Sequence, residues 1–99
     1  MKSFSERCYQ ILKKVPKGKV TTYREIARAL RSKAYRAVGN AMNRNPHAPH
    51  VPCHRVVKSD GRVGGFASGT RKKISMLKRE GIKIVKGKIN LKKYLHKFK

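Results

Sequence analysis

The sequence predicts a small single α/β domain, mostly helical, and three observations carry that reading. Its 99 residues suit one domain, near the small end of what folds alone. Two capping boxes, Ser3-Phe4-Ser5-Glu6 and Thr22-Tyr23-Arg24-Glu25, each lead into apolar residues at helical spacing. Strand signals are confined to Val56-Val57 and to a few isoleucines around one Lys-Gly turn.

After Ser3, the residues Phe4, Cys8, Ile11, Leu12 and Val15 recur on one helical face, and Pro16 and Gly18 stop that helix. Cys8 lies on the apolar stripe, which predicts a buried, inert thiol. The second box opens a short helix with Ile26, Ala27 and Leu30 inward. Ser32 is expected to cap a third helix, from Lys33 to about Arg44, carrying Ala34, Val38, Ala41 and Met42. Two short helices joined by a two- or three-residue turn read as a helix-turn-helix. The third helix is rich in small residues: Ala34, Ala37, Gly39 and Ala41. Gly39 costs it about 1 kcal/mol relative to Ala. Close approach to another surface explains that cost, and tight packing on the neighbouring helix explains it equally well.

Residues 45–53 carry a proline at every third position, which predicts an extended or polyproline-like loop. Arg55-Val56-Val57 follows as a short strand. Gly61, Gly64, Gly65 and Gly69 make the next stretch a loop able to approach a ligand closely. Thr70 or Ser68 starts a fourth helix through Ile74 and Leu77, and Gly81 ends it. From Ile82 to Lys99 there are seven lysines and no acid. There Ile82, Ile84, Ile89 and Leu91 suggest a hairpin about Lys86-Gly87, and Leu91, Tyr94, Leu95 and Phe98 suggest a terminal helix. The expected organisation is residues 1–81 as the functional domain, with 82–99 as its basic extension.

Charge narrows the class of partner. The chain has 27 Lys and Arg against 4 Asp and Glu, a formal net charge of +23. A polyanion is the expected partner: DNA, RNA or an anionic membrane surface. Nowhere do more than two apolar residues run consecutively, which excludes a transmembrane helix and a secretory signal core. Two cysteines are too few for a disulfide scaffold, so a reducing compartment, cytoplasmic or nuclear, is expected.

Cys53-His54 is the pair most suggestive of chemistry. A thiol attacks as thiolate, and neighbouring cations lower its pKa from about 8.5 toward neutrality. On an extended segment, however, adjacent side chains point to opposite sides. A metal is the rival reading, because His47, His50 and Cys53 are spaced by three and could line one polyproline edge together with His54. That spacing is atypical for structural zinc, which usually joins two separated pairs. Glu80 is the second oddity. Glu6 and Glu25 belong to capping boxes and Asp60 to a turn before Gly61, but Glu80 sits at a helix C-terminus, where the dipole disfavours an anion. It also continues the inward stripe of Ile74 and Leu77. A buried partner, naturally a histidine, explains it; a solvated pairing with Lys78 or Arg79 is the alternative.

The segment Pro52-Cys53-His54-Arg55-Val56-Val57 resembles the active-site segment of the O6-alkylguanine-DNA alkyltransferases. Arg36-Ala37-Val38-Gly39-Asn40-Ala41-Met42 is similar to that family's recognition helix. Asn45-Pro46, Gly61-Arg62-Val63-Gly64 and Arg79-Glu80-Gly81 fall in the same order, so the resemblance runs over about residues 4–81. It implies the family's catalytic domain, a winged helix-turn-helix, acting as a monomer on double-stranded DNA through the minor groove. The implied reaction is irreversible transfer of the alkyl group from guanine O6 to Cys53, once per molecule, without cofactor or metal. A non-enzymatic base-flipping sensor of the alkyltransferase-like kind is the alternative, although such proteins typically lack the acceptor cysteine.

By position, His54 matches the histidine that takes the thiol proton through a water, and Glu80 the acid that orients it. Asn45 matches the residue that braces the active-site turn, and Tyr23 the phenol that protonates the departing purine. Arg36 matches the arginine that fills the stack when the lesion is flipped out. Ala37, Gly39, Asn40, Ala41, Arg44, Arg55, Thr22 and Tyr35 are expected to face DNA beside it. Tyr23, Val56, Gly64, Gly65, Phe66, Ala67 and Ser68 are expected to line the base pocket. Ala67 stands where many members carry a serine that contacts the guanine oxygen. The family usually has an additional N-terminal domain; this chain begins almost at the catalytic domain, so the basic tail is expected to supply stability in its place.

Overall fold

Both expected N-caps form, through the hydroxyl half of each capping box. In a computed structural model describing residues 3–44, 51–64 and 69–98, the Ser3 hydroxyl accepts the Glu6 N–H at 3.1 Å and opens α1 (Phe4–Leu12). Thr22 accepts the Glu25 N–H at 3.1 Å and opens α2 (Tyr23–Ala29). Each cap satisfies an amide that the helix itself cannot. α1 ends at Leu12, well before Pro16, with the Lys13 N–H closing on Tyr9 and Ile11 carbonyls.

α3 (Tyr35–Asn43) begins two residues later than the sequence predicts. Ser32 spends its hydroxyl on the Ala34 N–H at 3.0 Å, inside the turn rather than at the helix start. The turn from Leu30 to Ala34 is therefore longer than the expected two or three residues, and Arg31 takes a left-handed φ of 55° within it.

The β-structure is minimal. β1 (Thr21–Thr22) pairs in parallel with β2 (Val56–Val57), Thr21 opposite Val56 and Thr22 opposite Val57. On β1's other side Leu95 bridges Val20 in parallel; Val20 donates to the Tyr94 carbonyl at 2.9 Å and His96 to the Val20 carbonyl at 2.7 Å. Alternation along β2 divides the core. Val56 packs with α1, α2 and α3 through Leu12, Ile26 and Val38, whereas Val57 packs with Val20, Leu77, Ile82 and Tyr94. Cys8 is fully buried in the first cluster, as its place on the stripe predicts.

α4 (Thr70–Arg79) has Gly69 at its N-cap without a side-chain cap, so Thr70 is its first helical residue and not the cap. Its C-terminus follows the glycine rule: Gly81 (φ 88°) donates to Lys78 and Ile82 to Leu77, with Ile82 and Leu77 both buried. The tail hairpin also forms, β3 (Ile84–Val85) against β4 (Lys88–Ile89), with positive φ at both Lys86 and Gly87 as a tight twisted hairpin demands. The terminal helix α5 is shorter than expected, Leu91–Tyr94, because Leu95 and His96 are drawn into the bridge to Val20. No described helix is long and apolar enough to cross a membrane.

Candidate active site and nucleic-acid interface

Cys53 opens a single 3-10 turn, Cys53–Arg55, directly before β2. Over residues 51–55 the chain is not extended as the proline spacing suggests: Cys53 donates to Val51 at 2.8 Å and Arg55 to Pro52 at 2.9 Å, which winds it, while residues 45–50 of that expected loop lie outside the described residues. At about three residues per turn, successive side chains leave in three directions. Cys53, His54 and Arg55 therefore leave one short turn in different directions.

Glu80, the C-cap of α4, receives two of them. His54 Nε2 lies 3.0 Å from Glu80 Oε2. Arg55 grips the same carboxylate at two points, Nε to Oε1 at 2.9 Å and Nη2 to Oε2 at 2.6 Å, and donates Nη1 to the Val15 carbonyl at 2.9 Å. Glu80 is therefore not the solvated partner of Lys78 or Arg79. Burial raises its carboxyl pKa, but the hydrogen bonds from Arg55 and His54 outweigh burial and hold it below its ordinary value. For His54, burial wins over the Glu80 bond and lowers the imidazole pKa, favouring the neutral ring. An ionised carboxylate only accepts, so Nε2 carries the proton and donates it, which leaves Nδ1 as a base.

Three further groups sense the charge of Cys53: Tyr9, Tyr23 and Lys73. Tyr23, first residue of α2 and half-buried, has its phenol pKa raised by burial and then by Cys53, so it stays protonated through neutral pH. Lys73 was not anticipated. Its side chain is completely buried, Nζ donates to the Val56 carbonyl at 2.6 Å, and burial pushes its pKa down to about 8 against an opposing pull from Cys53. The signal was available, since Lys73 precedes Leu77 by four and Glu80 by seven on the inward stripe of α4.

The residues expected to face DNA divide. On α3, Tyr35, Arg36, Asn40 and Arg44 are exposed, and Ala37 and Gly39 half-exposed. A Cβ at Gly39 would meet nothing within 4 Å among the described residues, so close packing against them does not explain that glycine. Three expectations are corrected. Ala41 is fully buried and turned to the core, its carbonyl accepting from the Tyr9 hydroxyl at 2.8 Å. Thr22 is buried and occupied as the α2 cap. Arg55 is turned inward, because Glu80 and Val15 take its donors. A cleft of about 320 Å³ lies beside α3, lined by Tyr23, Arg24, Tyr35, Lys58, Ser59 and Asp60; Arg24 and Lys58 add cations that the sequence did not single out. Of the expected pocket wall, Val56 is buried under the turn and Gly64 lies against Lys58 and Lys73. Asn45, Gly65, Phe66, Ala67 and Ser68, with His47 and His50, lie outside the described residues. Among the described residues no three potential ligands gather to hold a metal.

Residues 3–82 match the family model described as 6-O-methylguanine DNA methyltransferase, DNA binding domain. The chain belongs to that family. Among its alkyltransferase relatives is the methylated-DNA–protein-cysteine methyltransferase of Methanosarcina barkeri, 47% identical over 78 residues, which cover 78% of this chain and 49% of the relative. A bifunctional methyltransferase/endonuclease of Picrophilus torridus is 44% identical over 87 residues, 87% of this chain and 29% of that protein. The chain thus spans half or less of these two relatives. Its likeness to the crystal structure of S. pombe Atl1, in complex with damaged DNA containing O6-carboxymethylguanine, is end to end: TM-score 0.87 and 33% identity over 99% of this chain and 100% of Atl1.

Proposed function

We propose that the protein repairs alkylated DNA by moving the alkyl group from guanine O6 onto Cys53, once per molecule. The observation that carries this reading is the Glu80–His54 pair beside Cys53, which fixes the imidazole with Nε2 donating and Nδ1 free to act as base. The thiol proton passes to Nδ1 through a water. The sulfur then attacks the alkyl carbon in line, the carbon–O6 bond breaks, and its electron pair returns to the purine. Tyr23, held protonated, donates the proton that the departing guanine takes up. The product is a thioether, a poor leaving group, so the thiol is consumed.

The DNA side of the proposal rests on α3. A base inside a duplex cannot reach a buried thiol, so the lesion nucleotide must rotate out, at a cost of a few kcal/mol. The exposed face of α3, small at Ala37 and Gly39 and cationic at Arg36 and Arg44, suits entry into the narrow minor groove with Arg36 filling the vacated stack. The net charge of +23 supplies affinity for phosphates of any sequence.

The end-to-end likeness to Atl1 favours a second reading, a sensor that flips the lesion and does not react. Intact-protein mass after incubation with duplex DNA holding one O6-methylguanine separates the two. A gain of one methylene, located at Cys53, lost in Cys53→Ala and capped at one per molecule, establishes transfer. Tight lesion binding with no gain in mass establishes the sensor.

A further inference from the structure

We propose that the lysine-lined groove between the β3–β4 hairpin and α5 is a second contact for the DNA phosphate backbone, outside the residues that match the family model. The proposal rests on the DNA reading above and extends it to the tail.

The groove encloses about 380 Å³, with Lys83, Lys88 and Lys93 around a floor of Val85, Ile89 and Tyr94. Lysines of a merely solvated surface spread apart, because like charges repel. Here the backbone sets them around one groove. The Lys83 N–H donates to the Tyr94 hydroxyl at 3.2 Å, and Lys88 is fixed opposite Val85 and bridged to Arg62. The Lys93 carbonyl accepts from Lys19 Nζ at 3.1 Å, which brings a fourth ammonium to the rim. Among the described residues no carboxylate forms an ion pair with any of these lysines: Glu80 is committed to His54 and Arg55, Glu25 to Arg28, and Asp60, which also attracts Lys88, to Arg62. Lysines gathered round one groove without an ion-paired acid are a site for a polyanion.

Position argues for DNA in preference to an acidic protein. The hairpin is fastened to the loop after β2: Ile89 donates to the Gly61 carbonyl at 2.8 Å and Val63 to the Gly87 carbonyl at 3.1 Å. That loop continues from the turn Lys58-Ser59-Asp60, which lines the cleft shared with Tyr35 of α3. Lys58 beside α3 and Lys88 on the hairpin therefore stand at the two ends of one connected stretch, with the exposed Asp60–Arg62 pair between them, along which one polymer can run.

The test is the salt dependence of binding to undamaged duplex, compared between the wild type and a Lys83→Gln, Lys88→Gln, Lys93→Gln triple variant. Each lost phosphate contact makes the slope of log K against log salt shallower by about 0.9. From about 50 to about 200 mM salt the wild type should therefore lose about 40-fold more affinity than the triple variant. Lys93 lies over the Tyr94 ring at 5.3 Å, so a Lys83→Gln, Lys88→Gln double variant guards against misfolding and should flatten the slope by about two contacts. Equal slopes in wild type and folded variants overturn this proposal alone and leave the groove to an acidic protein. A wild type that fails to bind duplex overturns the DNA reading, and this proposal with it.

Discussion

His54 and Arg55 are neighbours in sequence, yet both converge on Glu80, and Oε2 of that carboxylate accepts from each of them. The 3-10 turn by itself sends consecutive side chains about a third of a circle apart; the length of the Arg55 side chain brings its guanidinium back to the carboxylate that His54 meets. Arg55 thus stands as a positioning residue for the relay: it holds the carboxylate ionised and aimed, and it ties the turn to the Val15 carbonyl after α1.

Replacing Glu80 by Gln keeps the shape and removes the charge that orients His54. Single-turnover alkyl transfer should fall by about 10²–10³, the range expected of an impaired general base. The pH dependence of stability should change as well. The folded Glu80 pKa lies below the ordinary 4.5, so its stabilisation is complete above that pH and is lost as pH falls through the folded value. His54 acts in the same sense below 6.5. Urea unfolding across this range should therefore show a shallower acid loss in Glu80→Gln; an unchanged profile would detach Glu80 from the relay.

Lys73 should govern stability at high pH. Its folded pKa of about 8 lies below 10.5, so between these values the unfolded chain binds more protons and stability rises with pH. The rise should be on the order of 3 kcal/mol in the wild type relative to Lys73→Met, where it should be absent. Alkyl transfer by Lys73→Met should slow by about tenfold, because the buried Lys73 ammonium attracts the negative charge that the attacking sulfur carries. Equal transfer rates would leave Lys73 a structural residue only.

Gly39 separates folding from binding. With open space where its Cβ would stand, Gly39→Ala should stabilise the fold by about 0.5–1 kcal/mol through helix propensity. Gly39→Leu should fold as well yet weaken duplex binding by tenfold or more, measured by fluorescence anisotropy. Undiminished binding would remove α3 from the groove.

Arg36→Ala should slow repair in duplex DNA more than in a single strand, since only a duplex leaves a stack to fill. Equal effects on both substrates would make Arg36 a phosphate contact and nothing more.

The features legible in the sequence are those written in local spacing. Ser3 and Thr22 announce their helices, Gly81 its C-terminus, Lys86-Gly87 its turn, and Glu80 its need for a buried partner. What stayed hidden depends on contacts between distant segments. In a chain with 27 basic residues the inward turn of Arg55 has no compositional mark, and the burial of Lys73 shows only in its place on the inward stripe of α4. β1, at two residues, is too short to leave an alternating pattern in the sequence. Leu95 carries a helical pattern, but a bridge to Val20 decides its conformation.

That bridge also sets an order of events during synthesis. Val20 emerges from the ribosome long before Leu95 and His96 exist, and until they do its strand edge has open hydrogen-bonding groups. α1, α2 and α3 can associate early, for their contacts are near in sequence. The sheet cannot close on that side until Leu95 and His96 have been made. A nascent chain, or one cut before Leu95, therefore presents an edge on which other chains can dock, and such a cut should show itself as aggregation rather than as lost chemistry.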